Sequence, residues 1–288
     1  MPLIMSTTGD LIKWATSEIA EVSESPRLDS ELLLAAVISS SRINLHAHPE
    51  CKVSGEQDEI FREFIARRKQ RESVASITGR KEFFGLEFAV NSRVLVPRPE
   101  TEQLVELALG YCRKHRSRPL QILDLGTGSG CISVALAYVL MQEGIINFQI
   151  TAVDISKEAL IVAQKNAATH TVFEKIEFIK SNWFSSLEKE KTYDLILSNP
   201  PYIAEGKKEE LPDISHEPEG ALFSGKDGFR DIALILNSLP DYLAKESSFF
   251  CEIDSALVPL IEHFYKSSLK PYRIHKDLAG KDRVLEVG

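Results

Sequence analysis

Ile122-Leu123-Asp124-Leu125-Gly126-Thr127-Gly128-Ser129-Gly130 decides the fold. An apolar run with an acid near its end meets glycines that alternate with small hydroxyl residues, and an amphipathic stretch over 129–142 starts at once. A strand, a glycine turn and a helix in that order open an α/β unit whose turn faces a ligand. Glycine permits positive φ and lets a ligand come close to the backbone. No Lys-Ser or Lys-Thr pair closes the turn, so it is no P-loop. Taken alone, the string fits an ordinary tight turn equally well.

Strands are expected at 120–124, 148–153, 175–179, 193–198 and 247–253, with amphipathic stretches at 129–142, 156–169, 228–244 and 255–268. That alternation predicts a mostly parallel sheet with helices on both faces. The runs 271–276 and 282–287, with Gly280 between them, predict a closing antiparallel hairpin. The expected fold class is α/β and Rossmann-like, preceded by a small N-terminal helical bundle.

Within residues 1–77, Asp10 can cap a helix carrying Leu11, Ile12, Trp14, Ala15 and Ile19, and Pro26 precedes a second helix through Ile38. A third follows Pro49, with Ile60, Phe61, Phe64 and Ile65 apolar and Arg62, Arg67, Arg68, Lys69 and Arg71 polar. The basic cluster reads as a solvated face, with an acidic or RNA-associated partner as the alternative. Phe83-Phe84-Gly85-Leu86-Glu87-Phe88-Ala89-Val90 carries the pattern of a hairpin around a glycine. Val96-Pro97-Arg98-Pro99-Glu100-Thr101-Glu102 then makes a stiff connector, with Pro99 near the first turn of a helix over 101–112. The expected domains are 1–77, a hairpin linker over 78–98 and a catalytic domain over 99–288.

A chain of 288 residues can bury a full core without disulfides. Cys51, Cys112, Cys131 and Cys251 form no CxxC pair, which predicts reduced, mostly buried thiols; no metal site is expected. A net charge of -8 argues against gripping a long nucleic acid. No apolar run approaches the ~20 residues of a membrane span, and the first residues lack the regions of a signal peptide. A cytoplasmic monomer with no nucleic-acid or membrane partner is expected.

Three further stretches fall at strand ends. Val153-Asp154 closes the second strand, where an acid accepts the two hydroxyls of a ribose. Asp154 can equally cap the helix that begins at Ser156. Ser181-Asn182-Trp183-Phe184 follows the third strand. There an amide can meet an adenine edge and an indole can stack on its face, or the indole can be a core aromatic. Asn199-Pro200-Pro201-Tyr202 follows the apolar run from Tyr193 to Ser198. It puts an amide, two proline-constrained carbonyls and an aromatic ring at a strand's carboxyl end. That set suits holding a planar –NH2 group by its two hydrogens while the nitrogen lone pair attacks an electrophile.

These residues together resemble class I S-adenosylmethionine-dependent methyltransferases, and Asn199 to Tyr202 resembles their amino-group branch. Ser25-Pro26-Arg27-Leu28-Asp29-Ser30-Glu31-Leu32-Leu33-Leu34, Gly79-Arg80-Lys81-Glu82-Phe83-Phe84-Gly85-Leu86, Val96 to Glu102, Asp124 to Gly130 and Asn199 to Tyr202 are similar to stretches of the bacterial PrmC/HemK family. The similarity extends over essentially the whole chain. That family comprises peptide chain release factor N5-glutamine methyltransferases. The resemblance implies methyl transfer from S-adenosyl-L-methionine, leaving S-adenosyl-L-homocysteine. The acceptor it implies is the glutamine of the Gly-Gly-Gln motif in class 1 release factors. It places the cofactor loop on Gly126, Thr127, Gly128, Ser129 and Gly130, the ribose acid on Asp154, and the adenine contacts on Asn182 and Trp183. It places the substrate grip on Asn199, Pro200, Pro201 and Tyr202, with Asn199 also beside the cofactor. Asn182 replaces the acid usual in relatives, so its contact lacks charge. Ser247-Ser248 and Asp254 stand where relatives carry glycines.

A carboxamide nitrogen has a delocalised lone pair, and no side chain usefully deprotonates it at neutral pH. Catalysis is therefore expected to be positioning and electrostatics, with Asn199, Pro200 and Tyr202 as catalytic residues. The Asn199 oxygen and the Pro200 carbonyl accept the two N–H groups, Pro201 stiffens the loop, and Tyr202 packs on the amide plane. Asp194 is a candidate proton acceptor, although a core or strand-end role fits it better. Glu100 and Glu102 are helix N-terminal acids or ligand contacts. The loop 207–228 has the length of a substrate flap, with no chemistry assigned to Glu217, and His216 reads as surface polar. An adenine-N6 methyltransferase on DNA or RNA is the alternative within this chemistry, and it would need base flipping and a basic face. A catalytically idle cofactor-binding adaptor is the alternative outside it.

Overall fold

The computed structural model of the chain describes residues 6–211, 214, 216–266 and 271–288. The expectation for the first residues through Met5, the loop positions 212, 213 and 215, and the last positions of the 255–268 helix lie outside them. The chain divides into two compact units, Met1–Arg80 with Glu210–His216, and Lys81–Glu209 with Glu217–Gly288.

The first unit holds α1 (Thr8–Glu18), α2 (Pro26–Val37), α3 (Arg42–Ala47), α4 (Gly55–Lys69) and α5 (Val74–Thr78). Leu11, Ala15, Ile19, Leu33, Leu34, Phe61 and Ile65 are buried together at its centre. Thr7, not Asp10, caps α1: its side chain accepts from the Asp10 N–H, and Asp10 lies in the first turn. A hydroxyl at the cap and an acid just inside it both satisfy a helix N-terminus. The basic cluster of α4 is paired with the unit's own acids rather than simply solvated. Arg62 bonds Asp58 and lies 4.3 Å above the Trp14 ring, Arg67 pairs with Glu72, Arg68 with Asp29 and Lys69 with Glu18.

β1 (Arg80–Phe83) and β2 (Leu86–Ala89) form the expected hairpin. Phe84 and Gly85 take φ of 54° and 75°, the two positive values of a type I′ turn. Then follow α6 (Glu102–Lys114), β3 (Leu120–Leu125), α7 (Cys131–Gln142), β4 (Phe148–Asp154), α8 (Lys157–Thr169), β5 (Ile176–Lys180) and β6 (Tyr193–Ser198). The chain closes with α9 (Arg230–Ser238), β7 (Leu243–Glu252), α10 (Val258–Tyr265), β8 (Tyr272–Lys276) and β9 (Asp282–Val287).

The seven strands β3–β9 form one sheet in the order β5-β4-β3-β6-β7-β9-β8. Strands β3 to β7 pair in parallel, and β9 and β8 close the edge antiparallel. The alternation of β3 explains the two layers. Leu120 and Ile122 pack with α6 and α7 on one face, while Leu123 and Leu125 pack with α9 and α10 on the other. Strand order runs outward from β3 in one direction and from β6 in the other, so the ligand-binding crevice of such a sheet lies at their carboxyl ends.

The expected helix over 228–244 is shorter. α9 stops at Ser238, Leu239–Asp241 makes a single 3-10 turn, and β7 begins at Leu243. Pro240 lacks the N–H that a continuing helix needs. No helix among the described residues is long and apolar enough to cross a membrane. Cys112, Cys131 and Cys251 are buried, Cys51 is exposed, and all four are free thiols.

Candidate active site

β3, β6 and β7 bring three chain segments to one edge. Leu125 lies opposite Ser198, and Ser198 opposite Cys251, so the glycine turn, Asn199 and Glu252 follow on neighbouring strand ends. The Ser198 hydroxyl donates to the Leu125 carbonyl at 2.9 Å and ties the first two together.

The turn is held from within. The Gly126 and Thr127 N–H groups both donate to the Val153 carbonyl, Gly128 N–H to Asp154 Oδ2, and Gly130 N–H to the Thr127 carbonyl. It therefore lacks the fan of free donors that cradles a phosphate. Gly130 has φ of 80°, and a Cβ there would sit 2.9 Å from that of Ala163, so the close approach of α7 and α8 requires glycine. At Gly128 a Cβ would meet nothing within 4 Å, which leaves room over the turn.

Asp124 is fully buried beneath the turn and accepts from Thr127 Oγ1 at 2.7 Å and Ser133 Oγ at 2.6 Å. Burial pushes its carboxyl up to about 6 against those two hydrogen bonds. Its Oδ1 and the hydroxyl of Ser129 are buried without partners. Asp154 accepts from the backbone of Gly128 and Ser156, each at 2.9 Å. Burial raises its carboxyl, and these backbone donors hold it back. Ser156 itself caps α8, so Asp154 braces the turn, and two of a carboxylate's roughly four acceptor positions are used.

Trp183 is half-buried, with its indole N–H on Asp231 Oδ1 at 3.3 Å. Its ring lies against Gly126, where a Cβ would come within 3.3 Å of it. Asn182 beside it is exposed. Pro200 and Pro201 are buried, and Asn199 and Tyr202 half-buried. Asn199 Nδ2 donates to Thr101 Oγ1 at 3.1 Å, and the Tyr202 hydroxyl donates to Glu252 Oε1 at 3.1 Å. Burial raises the Tyr202 phenol well above its ordinary value. The backbone of Gly228 rests on the Tyr202 carbonyl so closely that a Cβ would lie 2.2 Å from its oxygen.

Several charged candidates belong elsewhere. Asp194 sits at the opposite end of β6 from Asn199, where it accepts from Gln121 N–H and pairs with Arg118. Glu102 accepts from Phe84 N–H and fixes the hairpin tip to α6. Glu217 is buried, accepts from Val96 N–H and pairs with Arg98, anchoring the proline connector. His216 is held by the Gln70 carbonyl.

Thr101, Glu252, Gly228 and Asn166 complete the surroundings without having stood out in the sequence. Asn166 is buried on α8; its Nδ2 donates to the carbonyls of Ala89 and Ser129 and its Oδ1 accepts from Ala89 N–H. It joins the end of β2 to the glycine turn. An acid closing the apolar run before Ile253 and an amide among the alanines of a helix were the available signals.

The family model for the PrmC N-terminal domain matches residues 10–79, and that for a methyltransferase domain matches residues 117–284. The release factor glutamine methyltransferase of Rhodopirellula baltica is 38% identical over 284 residues, which span 96% of this chain and 94% of that protein. That of Shewanella oneidensis is 37% identical over 266 residues, 92% and 86% of the two chains. The solved hMettl16 catalytic domain, in complex with MAT2A 3'UTR hairpin 6, has a TM-score of 0.56 at 18% identity, covering 76% of this chain and 81% of that one. At that identity the likeness concerns the fold. With both halves matched and relatives aligned nearly end to end, the chain belongs to the release factor glutamine methyltransferase family.

Proposed function

We propose that this chain transfers a methyl group from S-adenosyl-L-methionine to the side-chain amide nitrogen of the glutamine in the Gly-Gly-Gln motif of class 1 release factors. The observation that carries the reading is the register of β3 and β6, which sets the Asn199–Tyr202 run beside the glycine turn. The relatives' names supply the substrate.

The crevice suits the methyl donor. Open space above Gly128, the orphaned Asp124 Oδ1 and Ser129 Oγ, and the unused acceptor positions of Asp154 are a polar cradle without phosphate donors. Gly126, Thr127, Gly128, Ser129 and Gly130 hold the donor, Asp154 takes its ribose hydroxyls, and Asn182 and Trp183 take its adenine. When bound, it supplies an electrophilic methyl group on a positively charged sulfur.

The chain's own contribution is position. Asn199 Oδ1 and the Pro200 carbonyl each accept one N–H of the glutamine amide, which aims the nitrogen lone pair and favours a pyramidal nitrogen. Pro201 keeps the loop stiff, and Tyr202 packs on the amide plane. No base is needed before transfer, since the nitrogen becomes acidic only once it is methylated. Residues 1–77 recognise the release factor outside its glutamine loop, 78–98 link, and 99–288 catalyse. The protein acts in the cytoplasm as a monomer, without a nucleic-acid or membrane partner. Incubation with tritiated S-adenosyl-L-methionine should label purified release factor and leave DNA and RNA unlabelled. Label in nucleic acid alone would overturn the proposal.

A further inference from the structure

Thr101 is 2% exposed, precedes α6, and belongs to neither the glycine turn nor the Asn199–Tyr202 run. Its hydroxyl oxygen accepts from Asn199 Nδ2 at 3.1 Å. An asparagine side chain has donors on one arm and an acceptor on the other. Committing Nδ2 to Thr101 therefore fixes which way round the amide stands and leaves Oδ1 for a donor.

A hydroxyl that accepts from Asn199 must direct its own proton elsewhere. Glu252 holds the other polar member of the run. Glu252 is 1% exposed, its Oε1 accepts from Tyr202, and its Oε2 is buried without a partner. Burial raises this carboxyl, and the Tyr202 hydroxyl holds it back. Were Thr101 to donate to Asn199 instead, Oδ1 would face Thr101, and Nδ2 would meet a substrate N–H donor to donor.

Resting on the function proposed above, we infer that Thr101 is a positioning residue. Thr101 accepts from Asn199, and Asn199 presents Oδ1 to the substrate amide. The carboxylate at the end of β7 anchors Tyr202.

Two readouts test this. Thr101→Val keeps the shape and removes the hydroxyl; Thr101→Ser restores it. Thr101→Val should lower kcat tenfold to about a hundredfold, the scale of a lost positioning contact, with cofactor affinity and Tm nearly unchanged. Thr101→Ser should recover most of that loss. Wild-type turnover in Thr101→Val, or equal slowness in Thr101→Ser, overturns the inference. The second readout needs no substrate: the Asn199 side-chain N–H signals by NMR. They should be well separated and slow to exchange in the wild type and in Thr101→Ser. In Thr101→Val they should collapse toward those of a solvated asparagine. Signals unchanged in that variant overturn it. A wild-type enzyme that leaves release factor unmethylated refutes the functional reading instead, while the Asn199 signals still decide the contact.

Discussion

Replacing Gly228 by alanine is expected to disable methyl transfer without unfolding the chain. Gly228 has φ of 82°, and its added Cβ would lie 2.2 Å from the Tyr202 oxygen and 3.0 Å from the carbonyl carbon. Carbon–oxygen contacts settle near 3.3 Å or more, so the two segments must part by about 1 Å. Tyr202 cannot yield by a rotamer change, because the atoms struck are backbone and Pro201 stiffens the chain before it. A misplacement of about 1 Å costs on the order of a hundredfold in rate, or about 3 kcal/mol of barrier. The left-handed backbone adds roughly 1–2 kcal/mol of instability. Gly225→Ala separates the two effects. It has φ of 70°, but its Cβ would meet only the Arg230 side chain, at 3.2 Å. Both variants should stay folded in thermal melts, with Gly228→Ala the less stable of the two. In single-turnover assays only Gly228→Ala should be slow, with cofactor affinity close to wild type. If it transfers methyl as fast as Gly225→Ala, Gly228 does not set the place of the Tyr202 backbone.

Asn199→Ala should lower kcat a hundredfold or more, about 3 kcal/mol for one lost positioning contact, with cofactor affinity changing less; near-normal single-turnover transfer would contradict this. Asn166→Ala strands the Ala89 N–H and should destabilise the fold by about 3 kcal/mol in urea titrations, whereas a loss of a few tenths would show that the clasp is dispensable. Asp124 has a folded pKa of about 6 against an ordinary 3.8, so between those values the folded chain keeps a proton that the unfolded chain has lost. Its contribution to stability is thus fully present below about pH 4 and lost as the pH rises through about 6, a change of about 3 kcal/mol at 1.36 kcal/mol per pKa unit. The unfolding free energy of wild type minus Asp124→Asn should fall by that amount across this window; a flat difference would contradict the assignment.

The sheet was legible because its strands are short apolar runs punctuated by glycine and proline, as Ile122 to Gly130 and Tyr193 to Pro200 show. The expected helix over 228–244 overshoots α9 because Ile232, Ile235, Leu236 and Leu239 keep helical spacing past Ser238, while Pro240 overrides that spacing. The pairing of Arg68 and Lys69 is not legible in the sequence because their partners Asp29 and Glu18 are far away along the chain and reach them through packing of the bundle. The same holds at the site. Asn199 announces itself through the prolines that follow it, while Thr101 and Glu252 acquire meaning from the parallel register that aligns β6 with β7 and from the placement of α6. Gly228 is one of several loop glycines until its backbone is seen against Tyr202.

The central claim is tested most directly by mass spectrometry of the Gly-Gly-Gln peptide from release factor incubated with the enzyme and S-adenosyl-L-methionine. One added methyl on the glutamine side-chain nitrogen, absent when Asn199→Ala replaces the wild type, is the result expected here. An unmodified glutamine, or a methyl on any other atom of the peptide, would contradict it.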